Sequence, residues 1–476
     1  MKNWINKNRV PILLFCIAFV ARVFLFYINF ANTDYDLIGA IHGDDGYYEI
    51  SQGLINGHGF TGATTEPFLP NALRTPLYIY FISGTLLMFG SYWIVLFFQI
   101  IIASFIPILG YRIALELLSK EKMALNLSPN LSLKIAFWTG ILLAFEPYLV
   151  LFSSIFYTET LFIFLFLIFI LIFIKYLNEG SSRALVWSSV FLGLATLTKP
   201  TVQYLPIILA LLILWNFRKS FSRSKSIIHV VIFAGVFFMT LSPWLYRNYY
   251  EFGVVGMTAQ PAYNLNVYLV PSVLSLENGT NFNDEVNKFV TVEESSGNKI
   301  TLANSPEYKK RALNILKDHP MGLLKSAAVT FVTFFTHDGM LTVLQHAGYV
   351  PDMYIGKPAI FLLLSSPIDF FKTVSKYIAS PFVLVLIMRL VWIGITLFFL
   401  IGLFQFLKTR KYDAISLLIL MIVLYFVSTS VIGGLGVSAR YRMPIDPIIF
   451  TLFLVGLVYF RSFILNAILA KREKRL

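Results

Sequence analysis

Two adjacent carboxylates, Asp44 and Asp45, stand in the run Gly43-Asp44-Asp45-Gly46-Tyr47-Tyr48-Glu49, directly after the first long apolar stretch. Only 13% of the residues are charged, so an acidic pair at the edge of an apolar segment marks a polar site that binds a cation or takes a proton. A third carboxylate, Glu159, sits in Tyr157-Thr158-Glu159-Thr160 between two apolar runs. Basic residues take up similar positions. Arg74 lies in the loop after the first apolar stretch, Lys199 in Thr198-Lys199-Pro200, Arg247 in Pro243-Trp244-Leu245-Tyr246-Arg247-Asn248, and the last two in Arg440-Tyr441-Arg442. The acids suit a divalent metal or a proton-accepting role, and the basic residues suit a phosphate clamp, since guanidinium matches phosphate geometry. One reaction uses both sets. A hydroxyl or amine attacks a sugar carried on a lipid phosphate, a carboxylate takes the proton, and the cations stabilise the leaving phosphate.

Each of these residues also has a plainer reading. Lys and Arg at helix ends snorkel to a membrane interface without any further role. Asp-Asp-Gly is an ordinary turn composition, and a solvated turn residue is the plainer alternative for Glu159. His58, in Gly57-His58-Gly59-Phe60, is structural before it is a metal ligand, and His337-Asp338 is a single pair rather than a metal site. Arg22 lies within the first apolar run, where a lone charge is costly; it faces the bundle or snorkels, and no catalytic role is assigned to it.

These side chains need helices to hold them. The chain has 476 residues, of which 57% are hydrophobic, and a mean hydropathy of +0.73. That composition excludes a soluble globular domain and predicts an all-α, polytopic membrane bundle. The apolar runs are long and unbroken, unlike the short alternating strands of a membrane barrel. The net charge of +13 would suggest nucleic acid in a soluble protein. Here it follows from Lys and Arg clusters beside apolar runs, and no nucleic-acid partner is predicted. The lone Cys16 reads as packing.

Placing every basic cluster inside gives about ten spans with both termini cytoplasmic. They are predicted near 10–31, 93–117, 134–153, 158–177, 184–199, 201–217, 227–246, 380–407, 413–431 and 444–463. The first is longer than a signal-peptide core and reads as a retained span of a cell (inner or plasma) membrane protein. The whole chain, 1–476, is then one integral membrane domain. Its first outer loop, 31–92, carries the acidic motif and a short interfacial helix near Pro76–Phe89. Its second outer loop, 248–379, is predicted to form short amphipathic helices against the membrane. Under this topology Asp44, Asp45, Glu159, Arg74, Lys199, Arg247, Arg440 and Arg442 all fall on the extracytoplasmic side.

The motifs, taken in order, resemble the integral-membrane glycosyltransferases of the C-type fold. The branch is that of the protein O-mannosyltransferases and the lipid A aminoarabinose transferase. The resemblance spans nearly the whole chain. It rests on Asp44-Asp45-Gly46-Tyr47-Tyr48, Gly57-His58-Gly59-Phe60, Arg74-Thr75-Pro76-Leu77-Tyr78, Tyr157-Thr158-Glu159, Thr198-Lys199-Pro200, Pro243-Trp244 with Arg247-Asn248, and Arg440-Tyr441-Arg442-Met443-Pro444. It implies an inverting, single-displacement transfer from a polyprenyl-phosphate-linked sugar to an acceptor glycan, lipid or protein. Asp44 is implied as the general base, with Asp45 supporting it, and Glu159 as the residue that positions the acceptor or a metal. Arg74, Lys199, Arg247, Arg440 and Arg442 would hold the donor phosphate. Tyr47, Tyr48 and His58 would contact substrate. A divalent metal (Mg or Mn), if used, would sit on Asp45 and Glu159, and membrane lipids would surround the bundle. The chain has Asp-Asp where the mannosyl and aminoarabinose enzymes have Asp-Glu, so which carboxylate is the base stays open.

Two other classes compete. A polytopic transporter or lipid flippase would place its charges near the midplane, on broken helices related by a repeat, and no repeat is visible. A cell-envelope polymerase or ligase of another fold would use the second outer loop and leave Asp44 and Asp45 dispensable.

Overall fold

The computed structural model describes residues 2–43, 45–119, 128–217, 223–295, 300–350, 366–378 and 380–473. The described residues form helices joined by turns and loops, with no strand. In chain order the helices are α1 (Lys2–Asn32), α2 (Leu37–Ile41), α3 (Tyr47–Ile55), α4 (Pro76–Phe89), α5 (Tyr92–Leu117), α6 (Pro129–Phe145), α7 (Pro147–Leu151), α8 (Glu159–Glu179), α9 (Ser182–Thr198), α10 (Leu205–Phe217) and α11 (Arg223–Phe252). They continue with α12 (Gln260–Asn264), α13 (Val270–Asn278), α14 (Phe282–Ser295), α15 (Ser305–Asp318), α16 (Pro320–Thr336), α17 (Met340–His346), α18 (Pro367–Ile378), α19 (Val383–Thr409), α20 (Ala414–Val431) and α21 (Asp446–Glu473).

Among the described residues seven helices are long and apolar enough to cross a membrane, and α16 with α17, bent by 69°, make an eighth if the pair is one span. Four more are apolar but shorter: Pro76–Phe89, Pro129–Phe145, Ser182–Thr198 and Leu205–Asn216. An all-helical membrane protein is therefore what the chain forms, but the count by length is seven or eight against the ten predicted. The difference lies where proline intervenes. The predicted span 134–153 ends at Phe145 because Glu146-Pro147 starts a new turn, with Leu149 N–H donating to Glu146 Oε2 at 2.6 Å. A residue before proline is pushed out of helical geometry, and the break splits the segment into α6 and α7. Helix α11 differs in the other direction. It runs on to Phe252, so Arg247 lies within its last turns rather than beyond its end.

Aromatic and branched side chains fill the centre of the bundle. Phe162, Phe166, Phe169 and Phe173 of α8 are fully or almost fully buried, a spacing of three and four that keeps them on one helix face. Large apolar side chains such as Val20, Phe24, Leu87, Met88 and Met239 are more than half exposed, as a surface facing hydrocarbon requires. Arg22 is buried among α1 and α6, donating to the carbonyls of Ala18 at 3.0 Å and Ala144 at 3.3 Å.

Helix polarity sets where the functional candidates gather. Glu159 opens α8, whose last turns carry Lys175; Arg183 lies in the first turn of α9, and Lys199 follows its last residue. Arg440 lies between the end of α20 and the start of α21, while Lys408 lies in the last turn of α19. The acidic and basic site candidates therefore share one end of the helices, and Lys175, Arg183 and Lys408 share the other.

Candidate active site

Local chemistry explains why the site residues converge. The chain leaves α2 through Gly43, where a Cβ would lie 2.8 Å from the carbonyl oxygen of Phe156 and 2.8 Å from the Tyr157 ring. That close approach, with Phe156 N–H donating to the Ile41 carbonyl at 2.7 Å, seats the acidic loop against the turn that carries Glu159. Gly46 then adopts φ +74° as the N-cap of α3, a conformation open to glycine at little cost. Helix α9 stops at Lys199 because Pro200 follows, and Lys199 is extended at φ −146°, ψ 118°. The Thr75 hydroxyl donates to the Thr198 carbonyl at 2.9 Å. It satisfies one of the acceptors a helix end leaves open and fixes Arg74-Thr75-Pro76 beside Lys199. Ser438 caps the short turn Ala439–Tyr441, with Arg440 N–H donating to its hydroxyl.

Arg440 is the hub. Its Nη2 donates to Asp45 Oδ2 at 2.5 Å, and its Nε donates to Glu159 Oε1. Lys199 Nζ donates to the same Glu159 oxygen at 2.7 Å. Arg74 Nη2 donates to Asp45 Oδ1 at 3.1 Å. The Arg440 guanidinium also lies 4.6 Å from the Tyr157 ring centroid and 5.6 Å from that of Phe152, within cation–π range. The Glu159 side chain is 1% exposed. A carboxylate so buried needs compensating charge, and it has two cations. Its place in the first turn of α8 adds the favourable end of the helix dipole.

Electrostatics follow from this arrangement. Burial pushes the Asp45 carboxyl up, but the guanidiniums of Arg440 and Arg74 outweigh it and hold the group down at about 2. Burial also opposes the Arg440 charge, and the two carboxylates raise that group well above the ordinary arginine range. Asp45 is thus an ionised anchor for two guanidiniums and a weak proton acceptor.

The cluster opens on a cavity of about 200 Å³ lined by Asp45, Tyr47, Arg74, Lys199 and Arg440, with Gln260, Asn264, Tyr268, Ser438 and Tyr441. Glu159 lies behind it, bonded to two of its cations.

The other sequence candidates are elsewhere. Asp44 lies outside the described residues. Arg442 is fully buried and turned away. It pairs with Asp446 at 3.0 Å, donates to the His337 carbonyl at 2.6 Å and stacks 3.3 Å from the Trp392 ring centroid. Arg247 is wedged among Phe60, Trp244 and Phe252, at 4.8 to 5.3 Å from their centroids, and donates to the Asn71 carbonyl at 3.3 Å. Tyr48 packs on His42 and Tyr92, and the exposed His58 stacks on Phe68 at 3.9 Å. Gln260, Tyr268 and Ser438 were not singled out from sequence. Gln260 and Tyr268 stand four residues either side of Asn264, the spacing of one helix face.

A divalent cation needs several free oxygen ligands, and the two carboxylates have few to offer. Asp45 gives one oxygen to Arg74 and the other to Arg440, and Glu159 gives Oε1 to Lys199 and Arg440. Among the described residues no three His, Cys, Asp or Glu converge. Cationic side chains stand where a metal would, so Asp45 and Glu159 in this arrangement do not fit one.

The class defined by fold and site is a membrane-embedded helix bundle with a charged pocket at one end. Residues 73–246 match the family model of the dolichyl-phosphate-mannose-protein mannosyltransferases. The match covers little more than a third of the chain; it takes in Arg74, Glu159 and Lys199 and stops short of Asp45 and Arg440. Among solved structures the chain is similar to the oligosaccharyltransferase AglB from Archaeoglobus fulgidus in complex with an inhibitory peptide and a dolichol-phosphate. The TM-score is 0.52 at 15% identity, over 98% of this chain and 52% of that one. The apo form of the Archaeoglobus fulgidus oligosaccharyltransferase matches at TM-score 0.52 and 12% identity, over the same shares. ArnT from Cupriavidus metallidurans aligns at TM-score 0.36 and 13% identity, over 96% of this chain and 77% of that one, too loosely to argue from. No curated protein matches the chain in sequence. The chain spans about half the length of the oligosaccharyltransferases it matches. At these identities the fold is what is shared: the resemblance to C-type membrane glycosyltransferases read from the motifs is met by the fold of AglB and by the matching family model.

Proposed function

We propose that the chain is a glycosyltransferase that moves a sugar from a polyprenyl phosphate to an acceptor glycan, lipid or protein on the extracytoplasmic face. The observation that carries this reading is Arg440, bridging Asp45 and Glu159 at the rim of a pocket that Arg74 and Lys199 also line. Three fixed cations at the end of an apolar bundle suit one headgroup above others, a phosphate on a lipid. Side follows from charge: Lys175, Arg183 and Lys408 lie at the opposite helix ends, which the positive-inside rule assigns to the cytoplasm together with both termini.

The reaction is a single displacement. An acceptor hydroxyl or amine attacks the anomeric carbon while the bond from that carbon to the phosphate oxygen breaks. The electron pair leaves with the phosphate, and Arg74, Lys199 and Arg440 receive the growing charge. The nucleophile's proton goes to a carboxylate. Asp45, held at about 2 by two guanidiniums, is poorly suited to take it, so the base falls to its neighbour Asp44. Asp45 and Glu159 hold the cations in place.

The test is transfer of labelled sugar from a panel of polyprenyl-phosphate donors in purified membranes, for wild type, Asp44→Asn and Asp45→Asn. The reading requires donor-dependent transfer that Asp44→Asn abolishes. Transfer surviving both substitutions at full rate would contradict it.

A further inference from the structure

The cationic clamp accounts for part of the cavity lining. Another part is uncharged and comes from a different element. Gln260, Asn264 and Tyr268 all line the cavity, and their spacing of four places them on one side of the continuous helix formed by α12, the turn Leu265–Leu269 and α13. Leu265–Leu269 winds as a π-helix. Such a turn takes more residues than the 3.6 of an α-helix, so the step from Asn264 to Tyr268 turns back the drift that the α-helical step from Gln260 to Asn264 accumulates. Asn266 braces the turn, its amide donating to the carbonyls of Ala262 at 2.8 Å and Tyr308 at 3.0 Å.

A hydrogen-bonded chain joins this stripe to the charged site and fixes its polarity. Arg74 Nη2 donates to Asp45 at 3.1 Å, and its Nη1 donates to Gln260 Oε1 at 3.4 Å. A guanidinium only donates, so Gln260 must meet it with its carbonyl and turn its nitrogen the other way. Gln260 Nε2 then donates to Asn264 Oδ1 at 2.8 Å. The same logic leaves the Asn264 amide nitrogen as the open end of the chain. It has two N–H donors, and among the described residues it donates to nothing.

From this we infer that Gln260, Asn264 and Tyr268 form the subsite for the donor's sugar ring, with the Asn264 amide donating to a ring hydroxyl and the Tyr268 ring flanking the sugar. The inference rests on the glycosyltransferase reading and names the part of the pocket that recognises the sugar. Neutral, oriented amides suit hydroxyl groups, and the cations a few ångströms away suit the phosphate. At about 200 Å³ the cavity is smaller than the roughly 300–1,000 Å³ of drug-sized sites. It has room for one sugar and its phosphate, with the lipid tail outside.

Binding to the purified full-length protein separates this inference from the reading beneath it. The probes are bare polyprenyl phosphate and a panel of polyprenyl-phosphate hexoses and pentoses. Wild type binds at least one sugar-bearing probe about tenfold tighter than the bare phosphate, the worth of one or two neutral hydrogen bonds. Asn264→Ala removes that preference and leaves the affinity for bare polyprenyl phosphate unchanged. Asn264→Leu, which keeps the shape and carries neither a donor nor a charge, does the same, so a folding defect in the alanine variant would not decide the matter. A preference that survives both variants, or an equal loss for both kinds of probe, would overturn the subsite. So would a wild type that holds bare phosphate as tightly as every sugar-bearing probe, and in that case the phosphate clamp would still stand. A wild type that binds neither kind of probe would overturn the glycosyltransferase reading itself.

Discussion

Arg440 and Asp45 are 395 positions apart in sequence, and their side chains meet at 2.5 Å. The contact ties the loop between the last two long helices to the loop after the first, and Glu159 joins the same guanidinium from a third helix. The pocket is therefore closed by charge as well as by packing. Only a planar group with several donors can serve two carboxylates and still face a phosphate.

Arg440→Lys keeps the charge and loses the fork. One ammonium cannot hold Asp45 and Glu159 in this geometry. The expected result is a fall in kcat/KM of about 100-fold, close to the effect of losing one preorganised donor at a developing anion. Steady-state transfer kinetics check this, and a lysine variant within threefold of wild type would contradict it.

Glu159→Gln leaves Lys199 and Arg440 without their buried carboxylate, and should cost about 3–5 kcal/mol of stability. Pairing it with Lys199→Met should recover part of that loss, since the uncompensated cation is then gone. Denaturation of the single and double variants in detergent gives the coupling energy. Strict additivity would mean that the 2.7 Å contact carries no energy.

The acid limb of stability should depend on Asp45. Its folded-state value, about 2, lies below the ordinary aspartate value of about 3.9. A carboxylate lowered in this way stabilises the fold above its unfolded-state value and loses that contribution as pH falls through the folded one. Its share, on the order of 2 kcal/mol, is complete above about pH 4 and gone near pH 2. Melting temperature should then drop less between pH 4 and pH 2 in Asp45→Asn than in wild type. Equal drops would contradict the ion pairing.

Arg442→Met should reduce stability strongly and leave donor affinity per folded molecule unchanged, because the side chain meets Asp446, His337 and Trp392 and not the cavity. Donor binding normalised to the folded fraction is the check. A selective loss of donor affinity would place Arg442 in the phosphate clamp after all.

Much of this was legible in the sequence, for a physical reason. Charges are scarce in an apolar chain, so those at the edges of long runs stood out, and alternating helix direction brought Asp45, Glu159, Lys199 and Arg440 to one end. What composition could not show was which way each side chain turns. Arg440 and Arg442 are two residues apart across a tight turn, so they point to different sides, and Asp446, four residues on, was the signal that Arg442 had its own partner. Arg247 likewise had Trp244 three residues before it. Gln260 and Tyr268 are uncharged and lie in the second predicted outer loop, which has no apolar period, so neither stood out. Their spacing of four residues from Asn264 on either side was the available clue. Of the ten predicted spans, three fall among helices too short to count by length alone: the hydropathy of 134–153 runs straight across Glu146-Pro147, which the backbone does not, and 184–199 and 201–217 are short helices on either side of Lys199-Pro200.

The most direct measurement is donor-dependent sugar transfer by wild type and Arg440→Ala, across a range of polyprenyl-phosphate donor concentrations. The account predicts transfer by wild type and a loss of at least about 100-fold in kcat/KM for the variant, at comparable folded protein in the membrane. Transfer by Arg440→Ala at the wild-type rate would contradict it, because the guanidinium that joins Asp45 to Glu159 would then have no part in holding the phosphate.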